Sequence, residues 1–231
     1  MFDSDTENNS RLILTYNNLV TSGKIKPDQA QKLLVEKLSL LSQRILKNFE
    51  KNNRLINKIV RIQKAPPKGL YIYGGVGRGK SMLMDLFFSN LDSRIQKRRV
   101  HFHAFMNEIH DRIFEKRKSS DSSDILKEVA NDISEIKILC FDEMQVKDIA
   151  DAMILGRLFE ALFENGVVIV ATSNRHPDEL YKDGLQRDRF LPFIDLFKQR
   201  MEIFEIESIT DYRLQHIKNL SQTYFFPLGK D

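Results

Sequence analysis

The segment Gly74-Gly75-Val76-Gly77-Arg78-Gly79-Lys80-Ser81 does most to limit what this chain can fold into. It fits G-x-x-x-x-G-K-[ST], a pattern that needs a buried strand on one side and a helix on the other. Both flanks comply: Leu70-Tyr71-Ile72-Tyr73 reads as an apolar strand, and a helix is predicted from Lys80. Gly75, Gly77 and Gly79 remove β-carbons where the backbone must curl around phosphate oxygens, so that N–H groups and the helix N-terminus face the anion. Lys80 would place its ammonium on β and γ phosphates, and Ser81 would coordinate Mg2+. The expected phosphate-binding set is Gly74, Gly75, Val76, Gly77, Arg78, Gly79, Lys80, Ser81 and Met82. A glycine-rich turn without a ligand is the plainer alternative.

Around this loop, short β-rich runs alternate with helical patterns. Strands are predicted at Leu70–Tyr73, Arg99–Ala104, Ile136–Phe141, Val167–Thr172 and Met201–Ile206, with helices from Lys80, Met106, Asp124, Asp148 and Pro177. The first, third and fourth strands are almost continuously apolar, as central parallel strands covered on both faces should be. Repeated βα units give an α/β fold with a doubly wound parallel sheet. Ahead of it, Ala30, Leu33, Leu34, Leu38, Leu41, Ile45 and Phe49 recur at helical spacing from Pro27. They predict an amphipathic helix of about six turns whose stripe packs on the core or receives a partner. Ala65-Pro66-Pro67-Lys68-Gly69 breaks that pattern, dividing a helical segment, 1–64, from a core, 65–231. Ser119 to Ser123 reads as a surface loop.

Ile136–Phe141 leads into Asp142-Glu143, two acids at the carboxyl edge of a buried strand. Such a pair is costly unless a cation or a reaction uses it. Asp142 would hold Mg2+ through its hydration shell, and Glu143 would deprotonate the attacking water; a strand ending in a polar turn is the alternative. Asn174 follows the fourth strand at the edge where ligands collect, and reads as a contact to γ-phosphate or water, or as a turn residue. Arg187 and Arg189 precede the last strand. Either could be a finger reaching a neighbouring subunit's phosphate, or a solvated surface arginine. His101 and His103 alternate on the second predicted strand, with His110 on a helix. Zinc would need further ligands that this set lacks; His103 is instead a candidate restraint on Glu143 when nucleotide is absent.

The 36 Lys and Arg against 32 Asp and Glu give a net charge of +4, interspersed along the chain. That is a mild basic lean and marks no clear nucleic-acid site. The single cysteine, Cys140, excludes a disulfide framework and is expected to be buried and inert. Neither a signal nor a transit peptide is apparent in MFDSDTENNS, and no apolar run approaches the roughly 20 residues that span a bilayer. A soluble cytoplasmic protein is expected.

Longer segments carry a family resemblance: GLYIYGGVGRGKSMLMDLFF, VHFHAFMNEIHDRI, ILCFDEMQVKDIADAMILGRLFEALF, GVVIVATSNRHPDELYKDGLQRDRFLPFIDLF and DYRLQ. In this order they resemble the ZapE family of AAA+ ATPases, relatives of the mitochondrial lactation-elevated proteins, from about Tyr16 onward. The resemblance implies an AAA+ core with a five-stranded parallel sheet, Gly74 to Ser81 as Walker A and Asp142 and Glu143 as Walker B. It also implies Asn174 as sensor 1 and the arginine finger at Arg187 or Arg189. Bacterial members act on the cell-division ring and destabilise its tubulin-like filaments using ATP; mitochondrial relatives are linked to protein quality control. Against that family the chain ends early, after DYRLQHIKNLSQTYFFPLGKD, so a core without the usual C-terminal region is expected. Met144 and Ala104 also depart from the family pattern.

The leading expectation is therefore a mechanical ATPase that remodels a protein partner, with division-ring filaments the candidate the resemblance offers, as a homo-oligomer with ATP and Mg2+. A nucleotide-binding module without turnover is the second. A small-molecule kinase would have no use for Glu143, and a GTPase would carry N-K-x-D, which Asn57-Lys58-Ile59-Val60 is not.

Overall fold

The computed structural model describes residues 4–53, 65–119 and 124–207. The Ser120–Ser123 part of the expected loop, Asn57 to Val60 and the DYRLQ segment lie outside them. Five strands, β1 (Gly69–Tyr73), β2 (Lys97–His101), β3 (Ile138–Asp142), β4 (Val168–Ser173) and β5 (Met201–Glu205), form one sheet in the order β2-β3-β4-β1-β5. Every pairing is parallel. The fold is an α/β P-loop architecture of AAA+ type, with helices on both faces and a helical arm at the N-terminus.

Alternation along each central strand splits the core in two. Tyr71, Leu139, Phe141, Ile169 and Ala171 face one layer, built with α4 (Phe102–Ser119), α5 (Ile125–Ile133), α6 (Ile149–Glu164) and α7 (Leu191–Arg200). Leu70, Ile72, Ile138, Cys140, Val168 and Val170 face the other, built with α1 (Ser4–Thr21), α2 (Gln29–Asn53) and α3 (Lys80–Asn90). The α2 stripe, through Leu34, Leu38, Leu41 and Ile45, is thus packed in that second core, although Leu33 is 46% exposed. The polar N-terminus did not announce α1, whose Leu12 and Tyr16 join the same cluster. Asp28 starts α2 by accepting the Gln31 amide N–H at 3.0 Å.

Two element readings need correction. The second strand ends at His101, and Phe102 to Ala104 already belong to α4. Phe102, Phe105, Met106 and Ile109 are all buried, a helical spacing that overrides the strand-like look of Val100 to Phe105. No continuous helix runs from Pro177 either. A short 3-10 turn at Pro177–Glu179 gives way to a loop with positive φ at Tyr181, Asp183 and Gln186, a second 3-10 turn at Arg187–Arg189, and only then α7. Those left-handed positions cannot propagate a right-handed helix.

Candidate nucleotide site

The loop between β1 and α3 lies at the carboxyl edge of the sheet, between the ends of β4 and β5. Gly74 must be glycine for space: a Cβ there would meet the Ile206 carbonyl oxygen at 2.6 Å. Gly79, the N-cap of α3, has φ +84, a backbone that side chains rarely adopt. The first amides of α3 have no partners within the helix and supply an anion site.

Lys80 opens α3 and is 9% exposed. Its Nζ donates to the carbonyl oxygens of Gly74 and Gly75, each at 2.7 Å, and to Asn174 Oδ1 at 2.9 Å. Two residues singled out separately in the sequence are therefore in contact. Ser81 is exposed in the first turn, followed by the half-buried Met82, while Val76 lies exposed at the loop and Arg78 is partly exposed.

Asp142 ends β3 at 6% exposure, a buried carboxylate that needs a counter-charge. Arg99 of β2 provides it: Nε donates to Oδ2 at 2.6 Å and Nη2 to Oδ1 at 3.1 Å. The same guanidinium pairs with Asp85 of α3 and donates to the Ser81 carbonyl oxygen at 3.4 Å. Burial opposes its charge, yet Asp142 and Asp85 outweigh that and raise its pKa. Arg99 was not anticipated. Its signal lay in the basic run Lys97-Arg98-Arg99, where strand alternation turns Arg99 away from Arg98, which pairs with Glu108 of α4.

Glu143 is exposed and holds φ +55, an uncommon backbone for glutamate that recurs at functional sites. The end of β4 fixes it. Its N–H donates to Thr172 Oγ1 at 3.2 Å, the Met144 N–H donates to the Thr172 carbonyl at 2.7 Å, and Ser173 Oγ donates to the Met144 carbonyl at 2.8 Å. Glu143 lines a cavity of about 470 Å³ with His101, His103, Asp142, Asp148 and Asp151. His101 and His103 do not share a strand face, because His103 stands on α4 and contacts Asn107 at 3.5 Å. Among the described residues no hydrogen bond joins His103 to Glu143, whose backbone restraint is Thr172. His110 instead contacts Asp151 at 2.8 Å.

The two arginines separate. Arg187 donates to the carbonyls of Leu180 at 2.7 Å and Asp178 at 2.5 Å, tying its own loop together. Arg189 is exposed; its backbone N–H donates to the Gln186 carbonyl oxygen at 3.0 Å, but among the described residues its guanidinium has no hydrogen bond or ion pair. Cys140 is fully buried, and burial pushes its thiol up to about 12, which leaves it unreactive at neutral pH.

The AFG1-like ATPase family matches residues 12–231. The chain belongs to that family. It is 40% identical over 210 residues to the cell division protein ZapE of Escherichia coli strain K12, covering 87% of this chain and 55% of that protein. It is 49% identical over 175 residues to lactation elevated protein 1 homolog B of Danio rerio, covering 72% of this chain and 35% of that protein. The chain thus spans about half the length of the bacterial relative. Among solved structures, the replication initiator DnaA bound to AMPPCP and single-stranded DNA aligns over 90% of this chain and 56% of its own, with a TM-score of 0.54 and 18% identity, a likeness of fold. Among the described residues, no helix is long and apolar enough to cross a membrane.

Proposed function

We propose that this chain binds ATP in the loop from Gly74 to Ser81, hydrolyses it with Glu143 as general base, and uses the turnover to remodel a protein partner. The observation that carries the reading is the convergence of Lys80, Asn174, Asp142 and Glu143 at one edge of the sheet, with Lys80 and Asn174 in direct contact at 2.9 Å.

The chemistry follows from these groups. On binding, the Lys80 ammonium exchanges two neutral carbonyl acceptors for charged phosphate oxygens, which are stronger acceptors. Glu143, exposed and lining the cavity at the end of β3, takes the proton of the attacking water. Asn174 carries the contact from the phosphate end of Lys80 to β4, the same strand whose Thr172 holds Glu143. The donor set fits Mg2+: the Ser81 hydroxyl and the Asp142 carboxylate are hard oxygen ligands, and this ion takes one or two from protein and the rest from phosphates and water. Bound there by Ser81 and Asp142, Mg2+ would supply positive charge against the phosphates.

Arg189 supports an assembly of several copies. Arg187 is committed to its own loop, so the group left to reach a neighbour's γ-phosphate is Arg189. The bacterial relative's name, cell division protein, makes division-ring filaments in the cytoplasm the first partner to try. The chain divides into a helical segment, 1–64, and a P-loop core, 65–231, in this reading. Calorimetry tests the nucleotide reading: the chain and Glu143→Gln bind ATP with Mg2+, whereas Lys80→Ala loses affinity at least tenfold. Equal binding by Lys80→Ala would remove the loop from the account.

A further inference from the structure

The helical arm reaches the phosphate loop through one side chain. Gln31, in the first turn of α2, is 2% exposed, and its Nε2 donates to the Arg78 carbonyl oxygen at 3.2 Å across 47 positions of sequence. Its Oε1 is buried and has no hydrogen-bond partner among the described residues. A Cβ on Gly79 would stand 2.8 Å from Nε2, so the close approach of this amide is a second reason for glycine there.

Stereochemistry gives the contact a consequence. The Arg78–Gly79 peptide is trans, as are all described peptides, so its carbonyl and its N–H point in opposite directions. Gln31 holds the carbonyl toward α2. The Gly79 N–H is therefore turned away from α2, and it donates to no described residue, although the Gly79 carbonyl already accepts the Leu83 N–H at 2.9 Å. A free, oriented N–H immediately before Lys80 is an anion donor.

We propose that Gln31 is a positioning residue of the nucleotide site: it locks the Arg78–Gly79 peptide so that the Gly79 N–H faces the phosphates. The inference rests on the nucleotide reading above. The brace is itself braced. Asp28 accepts the Gln31 N–H at 3.0 Å, and the buried Tyr16 of α1 donates through its hydroxyl to the Asp28 carbonyl at 3.3 Å. The helical arm is in this way a working part of the site and more than a cover for the sheet. A purely structural amide would be expected to satisfy both of its ends, and this one leaves Oε1 unpaired.

The test compares the chain with Gln31→Leu and Gln31→Glu, titrated with ADP and with inorganic tripolyphosphate, beside thermal unfolding without ligand. Gln31→Leu removes a buried acceptor that lacks a partner, in exchange for taking this donor from the carbonyl of the half-buried Arg78. Its melting temperature stays level or rises, while its affinity for both ligands falls about 3- to 10-fold, the worth of one hydrogen bond. Gln31→Glu sets a carboxylate against that carbonyl and weakens both ligands further. Unchanged affinity in Gln31→Leu overturns the proposal, as does a loss of affinity that merely follows a fall in melting temperature. A loss for ADP with none for tripolyphosphate also overturns it, since the peptide would then not be acting on phosphate. No binding by the unaltered chain would instead sink the nucleotide reading beneath it.

Discussion

Lys80 Nζ and Asn174 Oδ1, 94 positions apart in sequence, are hydrogen-bonded at 2.9 Å. The end of β4 thereby holds the ammonium that belongs to the loop after β1. Asn174→Ala leaves Lys80 its two carbonyl partners, so nucleotide affinity stays within a few-fold. Turnover, which needs the ammonium and the amide placed together, falls about 100-fold. Calorimetry and a phosphate-release assay on the same variant separate the two effects.

Arg187 and Arg189 are expected to fail in different ways. Arg187→Ala opens two charge-assisted bonds to backbone carbonyls and costs about 2 kcal/mol of stability. Arg189→Ala changes stability by less than about 0.5 kcal/mol, as exposed substitutions do. It lowers turnover by about 1,000-fold if it is the finger. Urea unfolding beside turnover distinguishes them, and full activity in Arg189→Ala would end its assignment.

Arg99 neutralises a buried carboxylate, so its removal is felt as a stranded charge. Arg99→Ala costs about 3 kcal/mol, and Asp142→Leu added to Arg99→Met recovers much of that loss, because a buried ion pair contributes little over apolar residues of similar volume. Equilibrium unfolding of the single and double variants reads this directly.

Glu108 supplies a pH dependence. The Arg98 guanidinium holds its carboxyl below the ordinary 4.5, with Arg112 adding to it. A depressed folded-state pKa means stabilisation present above 4.5 and lost as pH falls through the lower, folded value. Glu108→Gln is therefore less stable at pH 7, by about 1 kcal/mol for a partly exposed pair. The difference closes as pH falls below 4.5 and on through the lower, folded value. Thermal unfolding at both ends of that window checks it.

The legible parts of this sequence were those with a local period or a fixed spacing. Central strands were readable because both faces are buried: β1, β3 and β4 are almost continuously apolar, and their observed bounds differ from the expected ones by at most two residues. The edge strand β2 has no such signature, since Lys97, Arg98 and Arg99 are amphipathic, and its end was placed three residues late. Two helices were expected from Asp124 and Asp148, and both residues cap them by accepting a backbone N–H of the first turn. Arg99 and Gln31 were not legible, because their importance comes from contacts to Asp142 and Arg78 that only the folded chain creates.

Phosphate release from ATP with Mg2+, followed with the purified chain over a range of protein concentrations and with Glu143→Gln alongside, decides whether this site turns over. Release is expected to rise more steeply than protein concentration, because Arg189 acts on a neighbour's nucleotide, and to fall about 100-fold or more in Glu143→Gln with ATP still bound. ATP binding without release at any concentration, or release that Glu143→Gln leaves unchanged, would contradict this expectation.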